Sequence, residues 1–309
     1  MGKKILLAVG DCVYSQHAVR YTARISSAAK DMTYTLFNVQ PSIPNIFIEG
    51  AEADPEVKAE VDGLVGKNSE VAKCVVGDLR DLMVQEGIPA HRVEVVTEIM
   101  QVGTAKDILN RAEQGSYDAL ILARKGLTPS RDFFIGTTAA KVVEHAAQMP
   151  VWVVAGETAS MKIMVAVDGS ESSLRVLDHV INMVGANPDL RLTLFHILPY
   201  LKHYYSVDFE RENPRLQELV QQQDTKRMET FYKKARGNLN AAGIKESQVE
   251  IKTSKQSYDV STAILEEART GDYGTLVIGR RGEREAFFTG RIAMRLIQKV
   301  SNRTLWVVP

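Results

Sequence analysis

Thr275-Leu-Val-Ile-Gly279-Arg-Arg-Gly282, continued by Phe287-Phe288-Thr289-Gly290-Arg291, reads as a buried strand, a small glycine turn, a loop, and a second glycine at a helix start. That order of elements makes a phosphate cradle. Glycines let the backbone approach an anion closely, and the N–H groups of a helix start point at it. Alone the signal is weak. The chain contains it twice, however, the other copy being Ala119-Leu-Ile-Leu-Ala123-Arg-Lys-Gly126 followed by Phe133-Phe134-Ile135-Gly136-Thr137.

The duplication extends in both directions. Lys4-Ile-Leu-Leu-Ala-Val9 matches Lys162-Ile-Met-Val-Ala-Val167, and Thr35-Leu-Phe-Asn-Val-Gln-Pro41 matches Thr193-Leu-Phe-His-Ile-Leu-Pro199, both at an offset of 158. Val93-Glu-Val-Val-Thr97 matches Val249-Glu-Ile-Lys-Thr253, and Gly115-Ser-Tyr117 matches Gly271-Asp-Tyr273, at 156. Val151-Trp-Val-Val154 and Leu305-Trp-Val-Val308 follow at 154. Chance similarity does not keep register over so many segments, so the chain is two copies of one domain, 1–157 and 158–309, joined around Ala155 to Ser160.

Within each copy the strand candidates are short β-branched runs with little alternation, which suits a parallel sheet buried on both faces. Helical patterns lie between them. Leu174, Leu177, Ile181 and Val184 share a stripe after the starter Asp168-Gly-Ser170, and Leu216 to Ala242 forms a longer amphipathic run ending at Gly243. Alternating strand and helix implies right-handed crossovers and an α/β fold, with five parallel strands per copy in a doubly wound sheet and helices on both faces. Ligands bind such sheets beyond the carboxyl ends of the strands, where the strand order reverses. The loops after Val9 and Val167, after Val39 and Ile197, and after Leu122 and Ile278 all end there. The last strand of each copy should be an apolar edge, and pairing these two edges with each other would cover both; a covering loop is the alternative.

The chain has 309 residues, room for two domains with their own cores, and 38 basic against 38 acidic side chains. No global field recruits nucleic acid or an anionic membrane. Cys12 and Cys74 form no C-x-x-C pair, and no apolar run reaches the length of a membrane span. The expectation is a cytoplasmic protein. Six scattered histidines, His17, His91, His145, His179, His196 and His203, lack metal-ligand spacing. No Walker A sequence, nucleophile elbow or traceable Ser/His/Asp set is present, so turnover has no named residue to carry it.

These features together resemble the universal stress protein family, as a tandem two-domain member, over essentially the whole chain. The resemblance implies Rossmann-like domains, of adenine nucleotide alpha hydrolase type, that bind ATP or another adenine nucleotide, with or without Mg. The family pattern is G-x2-G-x9-G-[S/T] after the fourth strand and an Asp after the first. By it the Asp meets the adenosine end, the residue closing strand two lines the base, and the glycines with the Ser/Thr hold the phosphates. In the C-terminal copy the implied binding residues are Val167, Asp168, Ile197, Ile278, Gly279, Arg281, Gly282, Gly290, Arg291 and Ile292. In the N-terminal copy they are Val39, Ala123, Gly126, Gly136, Thr137 and Thr138. The departures are complementary. The C-terminal copy keeps Asp168 and all three glycines, but shortens the second spacing to seven and has Arg291 for the Ser/Thr. The N-terminal copy keeps the nine-residue spacing and Thr137, but has Ala123 for the first glycine and Gly10 where the Asp belongs.

Two roles are open for Arg291: a bidentate contact to phosphate, or occupation of the site in place of a ligand. Asp11 either substitutes for the missing carboxylate or caps a helix. Arg280, Arg281, Arg284, Arg291 and Arg295, with the thinner set Arg124, Lys125 and Arg131, attract a polyphosphate or form a solvated loop balanced by Glu283 and Glu285. The segments Pro41 to Pro55, with Ile43, Ile46, Phe47 and Ile48, and Pro199 to Pro214, with Tyr200, Tyr204, Tyr205 and Phe209, differ most between the copies. They read as lids, partner patches or satellite clusters under loops. Three functions compete: a nucleotide-sensing regulatory module, an interaction protein whose sites have degenerated, and a slow ATPase or phosphotransfer enzyme. A further homodimer and a protein partner are compatible with the first two.

Overall fold

The repeated apolar runs of the sequence form strands, and the amphipathic stretches 174–184 and 216–241 form helices. The computed structural model describes residues 2–124, 137–185, 187–198, 214–254, 259–280 and 289–309, the side chains of 137 and 289–291 excepted. The chain forms two compact units whose main boundary falls between Gly156 and Glu157.

In the N-terminal unit the order is β1 (Lys3–Ala8), α1 (Val13–Ile25), β2 (Met32–Gln40), α2 (Asn45–Ala53), α3 (Pro55–Gln85), β3 (Val93–Ile99), α4 (Thr104–Gln114), β4 (Ala119–Ala123), α5 (Thr137–His145) and β5 (Val151–Ala155). The C-terminal unit repeats it with β6 (Lys162–Val167), α6 (Glu171–Val184), β7 (Arg191–Ile197), α7 (Pro214–Ala241), β8 (Val249–Ser254), α8 (Val260–Thr270), β9 (Thr275–Gly279), α9 (Thr289–Lys299) and β10 (Arg303–Val308). Both sheets are parallel, in the orders β3-β2-β1-β4-β5 and β8-β7-β6-β9-β10. The expected five strands per copy and the doubly wound α/β architecture are therefore present.

Ile5, Leu6 and Leu7 of β1 and Ala119 to Leu122 of β4 are all buried, without alternation, as central strands require when both faces are covered. The outer strands β3 and β8 are different. Charged residues Glu94, Glu98, Glu250 and Lys252 occupy them, and Thr35 and Thr193 donate to Glu94 and Glu250 from the neighbouring strand at 3.1 and 3.3 Å. Charge on an exposed edge discourages further strand pairing.

The repeated Gly-x-Tyr segments acquire a reason in the structure. Gly115 and Gly271 end α4 and α8, and a Cβ at either would lie 2.1 Å from the ring of Tyr117 or Tyr273. The intervening Ser116 and Asp272 adopt φ of 51° and 54°, the left-handed turn that folds each ring back over its glycine.

The strand order reverses between β1 and β4, and between β6 and β9. Ala8 lies opposite both Phe37 and Leu122, and Val167 lies opposite His196. Parallel pairing thus brings the carboxyl ends of three strands side by side in each unit, as the sequence implies.

Candidate functional site

The best-defined side chains at these strand ends surround Asp168. Val167 ends β6, and Ser170 is the N-cap of α6, its hydroxyl accepting from the Ser173 amide at 3.1 Å. One oxygen of Asp168, Oδ1, accepts from Ser170 N at 3.1 Å, Ser170 Oγ at 2.6 Å and Ser173 Oγ at 2.7 Å. Its own amide donates back to Ser173 Oγ at 3.0 Å. Burial pushes the carboxyl up, but the hydrogen bonds from Ser170 and Ser173, with the charge of Arg227, outweigh it and leave the group below its ordinary 3.8. Asp168 is an oriented carboxylate at neutral pH.

The N-terminal unit keeps the frame without the carboxylate. Gly10 N donates to Ser15 Oγ at 2.9 Å, as Asp168 N does to Ser173, while Cys12 stands where Ser170 stands. A Cβ at Gly10 would meet nothing within 4 Å. Asp11 is exposed, and Cys12, not Asp11, directly precedes Val13 at the start of α1.

A second group closes the same end of the C-terminal sheet. His196 on β7 and Asp224 on α7 are 4% and 5% exposed. His196 Nδ1 lies 3.0 Å from Val167 O, and Nε2 lies 2.8 Å from Asp224 Oδ2. Asp224 Oδ1 accepts from Arg227 Nη2 at 2.8 Å. The two ring nitrogens thus face two acceptors, the Val167 carbonyl and the Asp224 carboxylate. The N-terminal counterpart of His196 is Asn38, whose Nδ2 donates to Val9 O at 2.9 Å. His196, one of the six histidines without metal-ligand spacing, is a buried tie between α7 and the end of β6.

The remaining expected residues divide into three groups. Val39, Ile197, Ala123 and Gly279 are half-buried at strand ends, and Ile278 is buried. Gly290 and Arg291 lie in the first turn of α9, with Ile292 half-buried behind them, and Thr137 and Thr138 open α5. Arg281, Gly282, Gly126 and Gly136 lie outside the described residues, as do Lys125, Arg131, Glu283, Arg284, Glu285, the four cradle phenylalanines and the 199–213 segment.

The basic clusters need correction. Arg124 is 2% exposed, its guanidinium pKa lowered by burial, and so it belongs to the interior and not to a solvated loop. Arg295 pairs with Asp259, the N-cap of α8, at 3.3 Å. Residues 41–55 hold α2, which has no buried residue, with Ile46, Phe47 and Ile48 exposed; they are not a cluster tucked under a loop. A concavity of about 470 Å³, lined by Lys162, Arg191, Glu250 and Lys252, opens at the amino ends of β6 to β8. That end is opposite the Asp168 turn, so the concavity is no part of this site.

Sequence reasoning passes over Ser15, Ser173, His196, Asp224 and Arg227 as site residues. The two serines are legible afterwards, since they fall at the same offset of 158 as the first strands. Asp224 and Arg227 have no counterpart in the other copy and carried no signal.

A family model described as the universal stress protein family matches residues 1–155 and again 160–309. Among solved structures, a universal stress protein from Archaeoglobus fulgidus is similar over 99% of this chain and 97% of its own, with a TM-score of 0.62 and 16% identity. A provisionally assigned universal stress protein from Pseudomonas aeruginosa covers 99% of this chain and 93% of its own, with a TM-score of 0.58 and 15% identity. No curated protein matches the sequence. Identities this low speak for the fold alone, while the double match of the family model covers nearly every residue: the chain belongs to the universal stress protein family, as a member carrying two domains in tandem.

Proposed function

We propose that this protein is a regulatory binding module that holds an adenine nucleotide, ATP, ADP or AMP, at the carboxyl ends of β6, β7 and β9. The observation that carries the reading is the Asp168 turn: an ionised carboxylate, fixed by three hydrogen bonds, at the point where the strand order reverses. Family membership supports the same ligand class. The N-terminal crevice keeps the serine frame but lacks the carboxylate, and is the weaker binder. Ligand binding would regulate only by favouring one of two conformations. Mass spectrometry of small molecules released from the denatured protein, with calorimetry of ATP, ADP and AMP with and without Mg, tests the proposal. Recovery of no adenine compound together with no heat of binding would refute it.

The exposed Ile46, Phe47 and Ile48 on α2 favour a second reading, contact with a protein partner through this helix, alone or together with nucleotide binding. Pairing of the two domains through their last strands is proposed from their apolar sequences alone. Separately expressed halves that fail to associate in analytical ultracentrifugation would count against it.

A further inference from the structure

Arg227 stands on α7, close against the Asp168 turn. Its Cγ and Nε stand 2.9 and 3.2 Å from where a Cβ on Gly169 would be, and Met228 Sδ stands at 3.0 Å. Gly169 has φ 79°. Both the backbone conformation and the closeness of α7 therefore demand glycine there, and the arginine stem lies directly against the Asp168 turn. Asp224 grips the guanidinium from one side, and buried His196 fixes Asp224. The Arg227 side chain remains 32% exposed, so it is anchored without being sealed. Its charge also reaches Asp168.

Only the C-terminal copy has this arrangement. At the offset of 156 that aligns Ala72 with Met228 and Met83 with Leu239, α3 carries Asn68 in place of Asp224 and exposed Val71 in place of Arg227. Asn38, in place of His196, keeps the bond to the end of the first strand.

We propose that Arg227 is a specificity-determining residue of the C-terminal crevice, positioned by Asp224 and His196 to read the ribose hydroxyls of a nucleotide together with Asp168. The proposal rests on the nucleotide reading above. A hydroxyl is at once a donor and an acceptor. A carboxylate beside a guanidinium satisfies both roles, Asp168 accepting the hydroxyl hydrogen while Arg227 donates to its oxygen. A planar fork held from behind by a carboxylate loses little freedom on making that bond. Asp224 and His196 do not touch the ligand; they are positioning residues.

The experiment is calorimetric titration of the full chain with ATP, 2′-deoxyATP and 3′-deoxyATP. The wild type should bind ATP about tenfold more tightly than the analogue lacking the hydroxyl that meets the pair, the worth of one charge-assisted hydrogen bond. In Arg227→Gln, ATP affinity should fall about tenfold and the preference over the deoxy analogue should approach unity. Arg227→Lys keeps the charge without the fork, and should keep more of the affinity than of the preference. His196→Asn copies the other domain, retaining the bond to Val167 O while severing the tie to Asp224. It should reduce the preference in the wild-type background and leave it unchanged in Arg227→Gln, with melting curves reporting the fold separately. If the wild type binds none of ATP, ADP and AMP and releases no adenine compound on denaturation, both this proposal and the nucleotide reading fall. If it binds and Arg227→Gln or Arg227→Lys keeps the full preference, this proposal alone falls.

Discussion

Ser173→Ala tests whether the Asp168 turn is held as the geometry says. The hydroxyl makes two bonds to one residue, donating to the carboxylate at 2.7 Å and accepting from the amide at 3.0 Å. A bond to a charged group contributes about 1.5–3 kcal/mol and a neutral one about 1 kcal/mol, so the loss should be about 2.5–4 kcal/mol. Ser15→Ala is the internal control. There the hydroxyl accepts from Gly10 N and otherwise meets only the weakly bonding Cys12 sulfur at 3.4 Å, so the loss should be about 1 kcal/mol. Both changes replace serine by alanine in the first turn of a helix, so differences in helix propensity cancel. For a unit of this size, Ser173→Ala should lower the Tm by roughly 5–16 °C and Ser15→Ala by roughly 2–4 °C. Urea titration at neutral pH, followed by repeats at falling pH, is the assay. The folded-state pKa of Asp168 is depressed, so its stabilising contribution is present above the ordinary 3.8 and is lost as pH falls through the folded value. The gap between wild type and Ser173→Ala should therefore be widest above about pH 4 and shrink below it. Equal losses for the two serines, or a gap that widens in acid, would refute the reasoning.

Two further outcomes are expected. In an Asp168→Ala background, Gly10→Asp should restore calorimetric ATP binding through the N-terminal crevice, because the added side chain meets nothing within 4 Å and Ser15 is already in place; continued absence of binding would show that more than the carboxylate is missing there. Gly271→Ala should cost about 1–3 kcal/mol in urea unfolding, since its Cβ would stand 2.1 Å from the buried Tyr273 ring; a change under about 0.5 kcal/mol would mean that the ring moves aside freely.

Much of the fold is legible without coordinates because its signals are local. Lys162-Ile-Met-Val-Ala-Val167 is apolar without alternation, and only a doubly covered central strand satisfies that pattern. Asp168-Gly-Ser170 announces the cap of α6, and the structure makes Ser170 that cap. The repeat converts each weak signal into a pair, and from the pairs follow five strands, their parallel order and the crevice at the carboxyl ends.

The site is less legible because its decisive contacts join residues far apart in sequence. Arg124 looks like a loop cation beside Lys125, yet burial places it in the interior. His196 looks incidental until β7 and α7 bring Val167 O and Asp224 to its two nitrogens. The sequence by itself determined the family, the duplication and the position of the carboxylate, since all three rest on spacing along the chain. Only the tertiary structure decided that α7 lies against Gly169, and so that the two copies present different chemistry from one backbone plan. The physical reason is that a side chain's charge and hydrogen-bond partners are set by what folding packs beside it, and packing is not written in the spacing.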